Sequence, residues 1–197
     1  MMVHSGYRLT VTTEPSVEPI TLAEAKLHLR VDHSHEDDYI TSLIVSARKE
    51  AENYTRRAFV NTTFRLSMDH WPRVIYLPRG KVQSVTSVKY YDTNGTQQTL
   101  ATSVYDVDTD SEPGRIVEAY NQSWPDYRDI VNTIQVVYVA GYGAAAANVP
   151  DNVKQAIKIY TGHLYENREV TISGTIIAEI PLAYRALLDP VRMESMF

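Results

Sequence analysis

The densest run of ligand-type side chains is His33-Ser34-His35-Glu36-Asp37-Asp38. Metal-dependent hydrolases use a His-x-His-x-Asp-His arrangement, because alternating imidazoles converge on one ion while a carboxylate completes the shell. Here Asp38 stands where the closing histidine belongs. The remaining histidines, His4, His28, His70 and His163, form no companion motif. The same run opens a helical pattern, where carboxylates complement the positive end of the helix dipole without any metal. That second reading is preferred, and the metal-dependent hydrolase is kept as a rival.

Other candidates fail on a specific requirement. Asp106, Asp108, Asp110 and Glu112 alternate like the start of a calcium loop, but the glycine and glutamate such a loop needs are replaced by Ser111 and Val117. Asp69-His70 has no serine in a Gly-x-Ser-x-Gly turn to serve. His163 and Glu166 lie three apart on a helix, yet no second such pair exists to build a two-metal site. Gly141-Tyr142-Gly143 lacks the lysine and spacing of a phosphate loop. The chain has no cysteine, which removes thiolate ligands and nucleophiles. The expectation is a binding or structural protein, not an enzyme, with no catalytic residue, no metal and no cofactor.

The elements follow from periodicity. Tyr7, Leu9 and Val11 alternate as a strand does. Thr21 and Glu24 have capping-box spacing, and Leu22, Ala25 and Leu29 then share one face of a short helix. Ser34 is the expected cap of a long helix with Ile40, Leu43, Ile44, Ala47, Ala51, Tyr54 and Ala58 on its apolar stripe. Glu36, Asp37 and Asp38 fall in its first turn and Arg56 and Arg57 in its last. From about Thr62 the period becomes two, with strands expected at 63–69, 74–77, 82–91, 96–100, 104–108, 115–119 and 133–139. Asp92-Thr93-Asn94-Gly95 supplies a tight turn between two of them. Helix returns after Pro150 on Val153, Ala156, Ile157, Tyr160 and Leu164, and a last short helix runs from Pro181 to about Leu188 before Pro190 stops it. The fold class is α+β. Residues 1–61 give a strand and helical hairpin, 62–140 an antiparallel β insertion, and 141–197 helices and a tail that pack with 1–61.

Charge is spread evenly. Of the 19 basic and 24 acidic groups, residues 1–59 hold 7 and 9, residues 60–149 hold 7 and 9, and residues 150–197 hold 5 and 6. Duplex binding needs several phosphates neutralised by clustered Lys and Arg. A dedicated DNA-binding domain is not expected. No stretch reaches membrane-spanning length, and the N-terminus lacks the pattern of a secretory signal. Fourteen tyrosines against three phenylalanines suit half-buried interfaces, although β-rich domains favour Tyr on their own account. The C-terminal Val191-Arg192-Met193-Glu194-Ser195-Met196-Phe197 is too apolar for a frayed tail and reads as a docking segment.

Two stretches, taken together, are fairly specific. Leu22-x-Glu24-Ala25-Lys26-x-His28-Leu29-Arg30-Val31 leads through a short acidic link into Asp37-Asp38-x-Ile40-x-x-Leu43-Ile44-x-x-Ala47-Arg48. With Tyr165-Glu166-Asn167-Arg168-Glu169 and Leu187-Leu188-x-Pro190-x-Arg192, they resemble the tailed-phage head–tail connector family, in its longer members with a β insertion. The resemblance implies a ring of about a dozen copies beneath the portal at the virion neck. It would present a platform for a stopper or tail-completion protein and surround the channel through which DNA passes without sequence-specific binding. The resemblance brings no catalytic residues. Synthesis would be in the host bacterial cytoplasm, with no membrane involved. Portal docking is expected from Leu187, Leu188, Pro190, Arg192, Met193 and Phe197, and ring contacts from Asp38, Arg48, Glu52 and Arg56. The rivals are the metal-dependent hydrolase, of phage origin, and a DNA-packaging accessory that binds duplex directly.

Overall fold

A computed structural model describes residues 7–168 and 182–194. These fall into two compact units, one of residues 7–16 and 61–143, the other of residues 17–60, 144–168 and 182–194. The fold is α+β, as expected.

The first unit is all antiparallel. Its strands are β1 (Tyr7–Thr13), β2 (Thr62–Met68), β3 (Ile75–Leu77), β4 (Val82–Tyr91), β5 (Gln97–Thr99), β6 (Tyr105–Asp108), β7 (Gly114–Glu118) and β8 (Ile134–Ala140). Five form a sheet ordered β1-β2-β8-β4-β5, and three form a second sheet ordered β3-β7-β6. Alternation decides what is inside. Phe64, Leu66 and Met68 on β2, and Ile134, Val136 and Tyr138 on β8, are buried with Ile75, Leu77 and Ile116 of the smaller sheet. Two indoles close one end: Trp71 and Trp124 stack at 4.7 Å, and their N–H groups donate to the carbonyls of Pro125 and Pro72 respectively. Both rings are half-buried, and an indole N–H withdrawn from water needs such a partner. At Gly114 a Cβ would lie 2.6 Å from the Val82 side chain, so only glycine lets β7 pass there.

The β1 pairing corrects the expected division. Residues 1–61 were to form one piece with the C-terminal helices, but Tyr7 through Thr13 pair with β2 across the whole intervening hairpin. The reason is edge satisfaction: β2 carries a buried apolar face, and its outer N–H and C=O groups need a partner strand.

The second unit holds α1 (Leu22–Leu29), α2 (Asp37–Thr55), α3 (Asp151–Glu166) and α4 (Leu182–Leu188). The capping box forms as expected, with Glu24 N–H donating to the Thr21 hydroxyl at 3.2 Å and Thr21 N–H to the Glu24 carboxylate at 2.8 Å. Ile40, Ile44, Ala47, Ala51 on α2 and Val153, Ala156, Ile157 on α3 supply the core. Two details of α2 differ from expectation. Its N-cap is Glu36, not Ser34, and it ends at Thr55, with Arg56 in the left-handed region at φ 58°. Arg56 and Arg57 therefore lie beyond the last turn rather than in it, because the chain reverses there to bury Ala58, Phe59 and Val60. None of the helices among the described residues is long and apolar enough to cross a membrane.

Candidate docking site of the helical unit

The acidic run at the start of α2 is already occupied by its own surroundings. Tyr165 Oη and the Arg168 guanidinium both donate to the Glu36 carboxylate, and Arg168 sits over the Tyr39 and Tyr165 rings at 4.7 and 4.9 Å. The Tyr165 and Arg168 hydrogen bonds hold the Glu36 carboxyl below its ordinary range. Lys26 Nζ meets Asp37 at 2.6 Å. His33 and His35 stack on each other at 5.5 Å instead of converging on a point. No cluster able to hold a metal occurs among the described residues. The alternating acids of the sheet unit make a turn: Asp108 accepts from the N–H groups of Asp110 and Ser111 at 3.0 Å, from the Ser111 hydroxyl at 2.6 Å and from Arg115 Nε at 2.9 Å.

The best-built polar cluster lies where α2 ends against the C-terminal segment. Tyr54 Oη donates to Asp189 Oδ1 at 2.6 Å, and that bond raises the phenol above its ordinary range. The Arg192 guanidinium lies over the Tyr54 ring at 4.9 Å. Met193 N–H donates to the Thr55 carbonyl at 3.0 Å, and Arg57 Nε donates to the Val191 carbonyl. Asn152 Nδ2 holds the Leu187 carbonyl at 2.8 Å, which joins α3 to the end of α4. Below this, Tyr184 is buried and stacks on Tyr160 at 4.9 Å. Burial pushes its phenol up, and its hydroxyl has no partner among the described residues.

The residues expected to dock thus divide. Pro190 and Arg192 are exposed, Leu187 and Met193 are half-buried, and Phe197 lies outside the described residues. Leu188 is fully buried, so it belongs to the core and not to a docking face. Of the residues expected at ring contacts, Asp38 and Arg56 are exposed. Arg48 and Glu52 are corrected to interior roles. Arg48 is 3% exposed, with Nε on Glu18 and Nη1 on Glu52, each at 2.8 Å, while Glu52 also accepts the Phe59 N–H at 2.9 Å. A charge on the apolar side of a helix is held there by its partners, and sequence spacing did not reveal Glu18, thirty residues away, as one of them.

One feature had no sequence signal. Val17, Ile20, Leu22, Ile44 and Ala144–Ala146 line an apolar concavity of about 460 Å³. The alanines carry no such signal in sequence, because their neighbours across the concavity come from distant parts of the chain.

Residues 19–112 match the family of phage gp6-like head-tail connector proteins. The connector resemblance read from the hairpin is thereby borne out over that stretch. The connector match runs on into the strands as far as Glu112, and it does not extend to the C-terminal helices. Nothing matches among proteins of curated function. Three solved structures share the fold over 96% of this chain and 97% of theirs. They are the neck of an empty GTA particle computed with C6 symmetry (23% identity, TM-score 0.79), the neck of a native GTA particle computed with C12 symmetry (23%, 0.77) and the virion of a native gene transfer agent particle (22%, 0.77). At that identity they establish the fold.

Proposed function

We propose that this protein is a structural subunit of the neck of a phage or phage-like particle. About twelve copies form a ring beneath the portal, hold a stopper or tail-completion protein and surround the DNA channel. The reading is carried by one conjunction: a connector family match over residues 19–112, on a fold shared end to end with neck proteins of a particle treated with twelvefold symmetry. Cyclic assembly needs two different faces on each copy. Asp38 and Arg56, exposed at opposite ends of α2, are proposed for ring contacts. Leu187, Pro190, Arg192 and Met193, with Phe197, are proposed for the portal. The work of such a subunit is to connect, and it requires no chemistry from the stacked histidines or the Asp108 turn.

The decisive experiment measures mass, for the purified protein alone and with a portal. A portal-bound ring of about twelve copies is expected. A protein that stays monomeric and unbound with portal present would overturn the proposal. Truncation after Asp189 is a poor probe of docking, because it also removes the contacts of Val191, Arg192 and Met193 to the end of α2. Arg192→Glu and Pro190→Glu keep the backbone contacts and should each weaken portal capture at least tenfold.

A further inference from the structure

The five-stranded sheet has a second face, and its composition is unlike that of the chain as a whole. Registers align Arg8, Ser67, Gln135, Lys89 and Thr99 in one row across all five strands. The adjacent row places Thr10 against Arg65, followed by Val137 and Ser87. Directly paired residues point the same way, so these side chains share one face. In a chain of net charge −5, neither row contains a carboxylate.

Within that face, Arg8, Thr10, Arg65, Ser67, Asn132 and Gln135 line a polar concavity of about 210 Å³. Arg8 and Arg65 are diagonal neighbours on β1 and β2. Neither makes an ion pair or side-chain hydrogen bond with any of the described residues. Asn132 of this lining donates its backbone N–H to the Asp69 carboxylate at 2.6 Å. Two neighbouring arginines with no counter-charge among the described residues repel, and an oxyanion between them relieves that cost while accepting their forked donors. The hydroxyl and amide groups around them supply further donors to its oxygens.

We propose that this face binds the phosphodiester backbone of nucleic acid, with one phosphate seated between Arg8 and Arg65 and another reached by Lys89. A polymer of phosphates is favoured over a single ion by the spacing. Arg65 and Lys89 are two strands apart, roughly 10 Å, which one small ion does not bridge. Contacts to phosphate oxygens carry no sequence information, so the proposed contact is independent of sequence. The proposal goes beyond the ring reading and does not depend on it.

The test is anisotropy of a labelled mixed-sequence duplex against the whole chain, across a salt series. Three cations predict weak binding whose logarithm falls with log salt at a slope of about −2.7. Arg8→Ala and Arg65→Ala should each weaken binding about fivefold at low salt and flatten the slope by about one. Arg185→Ala removes the same charge from exposed α4 and should change neither. Matching circular dichroism spectra confirm that the variants fold. Absence of duplex binding at low salt overturns the proposal, as does equal weakening by Arg185→Ala. Two further results also overturn it: inorganic phosphate perturbing Arg8 and Arg65 without duplex binding marks a free-anion site, and variants that change self-association alone mark a carboxylate from a second copy. Mass measured on the same samples keeps the ring question separate.

Discussion

At the scale of single residues, Arg48 is the most instructive. Its place in the motif Ala47-Arg48 suggested a surface contact, yet the structure seats it between Glu18 and Glu52 at 3% exposure. A sequence shows that a charge lies near an apolar stripe but not which distant carboxylates meet it. Arg48→Ala would leave two acids facing each other and partly desolvated, costing about 3 kcal/mol. Arg48→Lys keeps the charge but loses the fork to two partners, so it should cost less but remain measurable. Urea unfolding checks both, and a loss below about 1 kcal/mol for Arg48→Ala would show the pair to be no more than a surface bridge. Asp108 gives the complementary case. Ser111 hydroxyl and backbone bonds, reinforced by Arg115 and the Asp110 N–H, lower its carboxyl to about 2. The folded value lies below the unfolded one. Its contribution to the turn is therefore complete above the ordinary carboxylate range and disappears as pH falls through about 2. A carboxyl carbon titration should place its midpoint well below the ordinary aspartate range, and a midpoint within that range would refute the turn geometry.

At the scale of elements, helix starts were more legible than helix ends. The Thr21 and Glu24 spacing specified the first helix correctly because a capping box is local. The end of α2 was misjudged by about one turn because it depends on Phe59 and Val60 being buried, which is a tertiary event. The stop itself is a left-handed Arg56, a conformation that disfavours any side chain. Arg56→Gly removes that strain and, after the added flexibility of glycine in the unfolded chain, should raise stability by about 0.5 kcal/mol. The same substitution deletes a guanidinium proposed for ring contacts. A protein that is thermally more stable yet assembles fewer rings would separate the two roles. A more stable protein with undiminished assembly would remove Arg56 from the interface.

At the scale of the whole molecule, composition and period gave the α+β class, while topology stayed hidden. Each strand was found within a residue or two, but partner choice was not. The pairing of β1 with β2 joins segments separated by the entire helical hairpin, and no local pattern encodes such a contact. This makes the N-terminal segment a sharp test of organisation. If residues 1–16 merely led into the helices, deleting them would leave the sheet unchanged. In the observed topology the deletion strips β2 of its outer partner and exposes a seven-residue edge next to buried Phe64 and Leu66. Residues 17–197 should therefore lose amide-exchange protection in Thr62–Met68 and scatter light on warming, since an unpaired edge recruits other chains. Protection of Ile40, Ile44 and Ala47 on α2 should persist, because their packing lies within the helical unit. Equal loss in both regions would mean that the two units unfold as one, and unchanged protection in β2 would mean that β1 is not what completes the sheet.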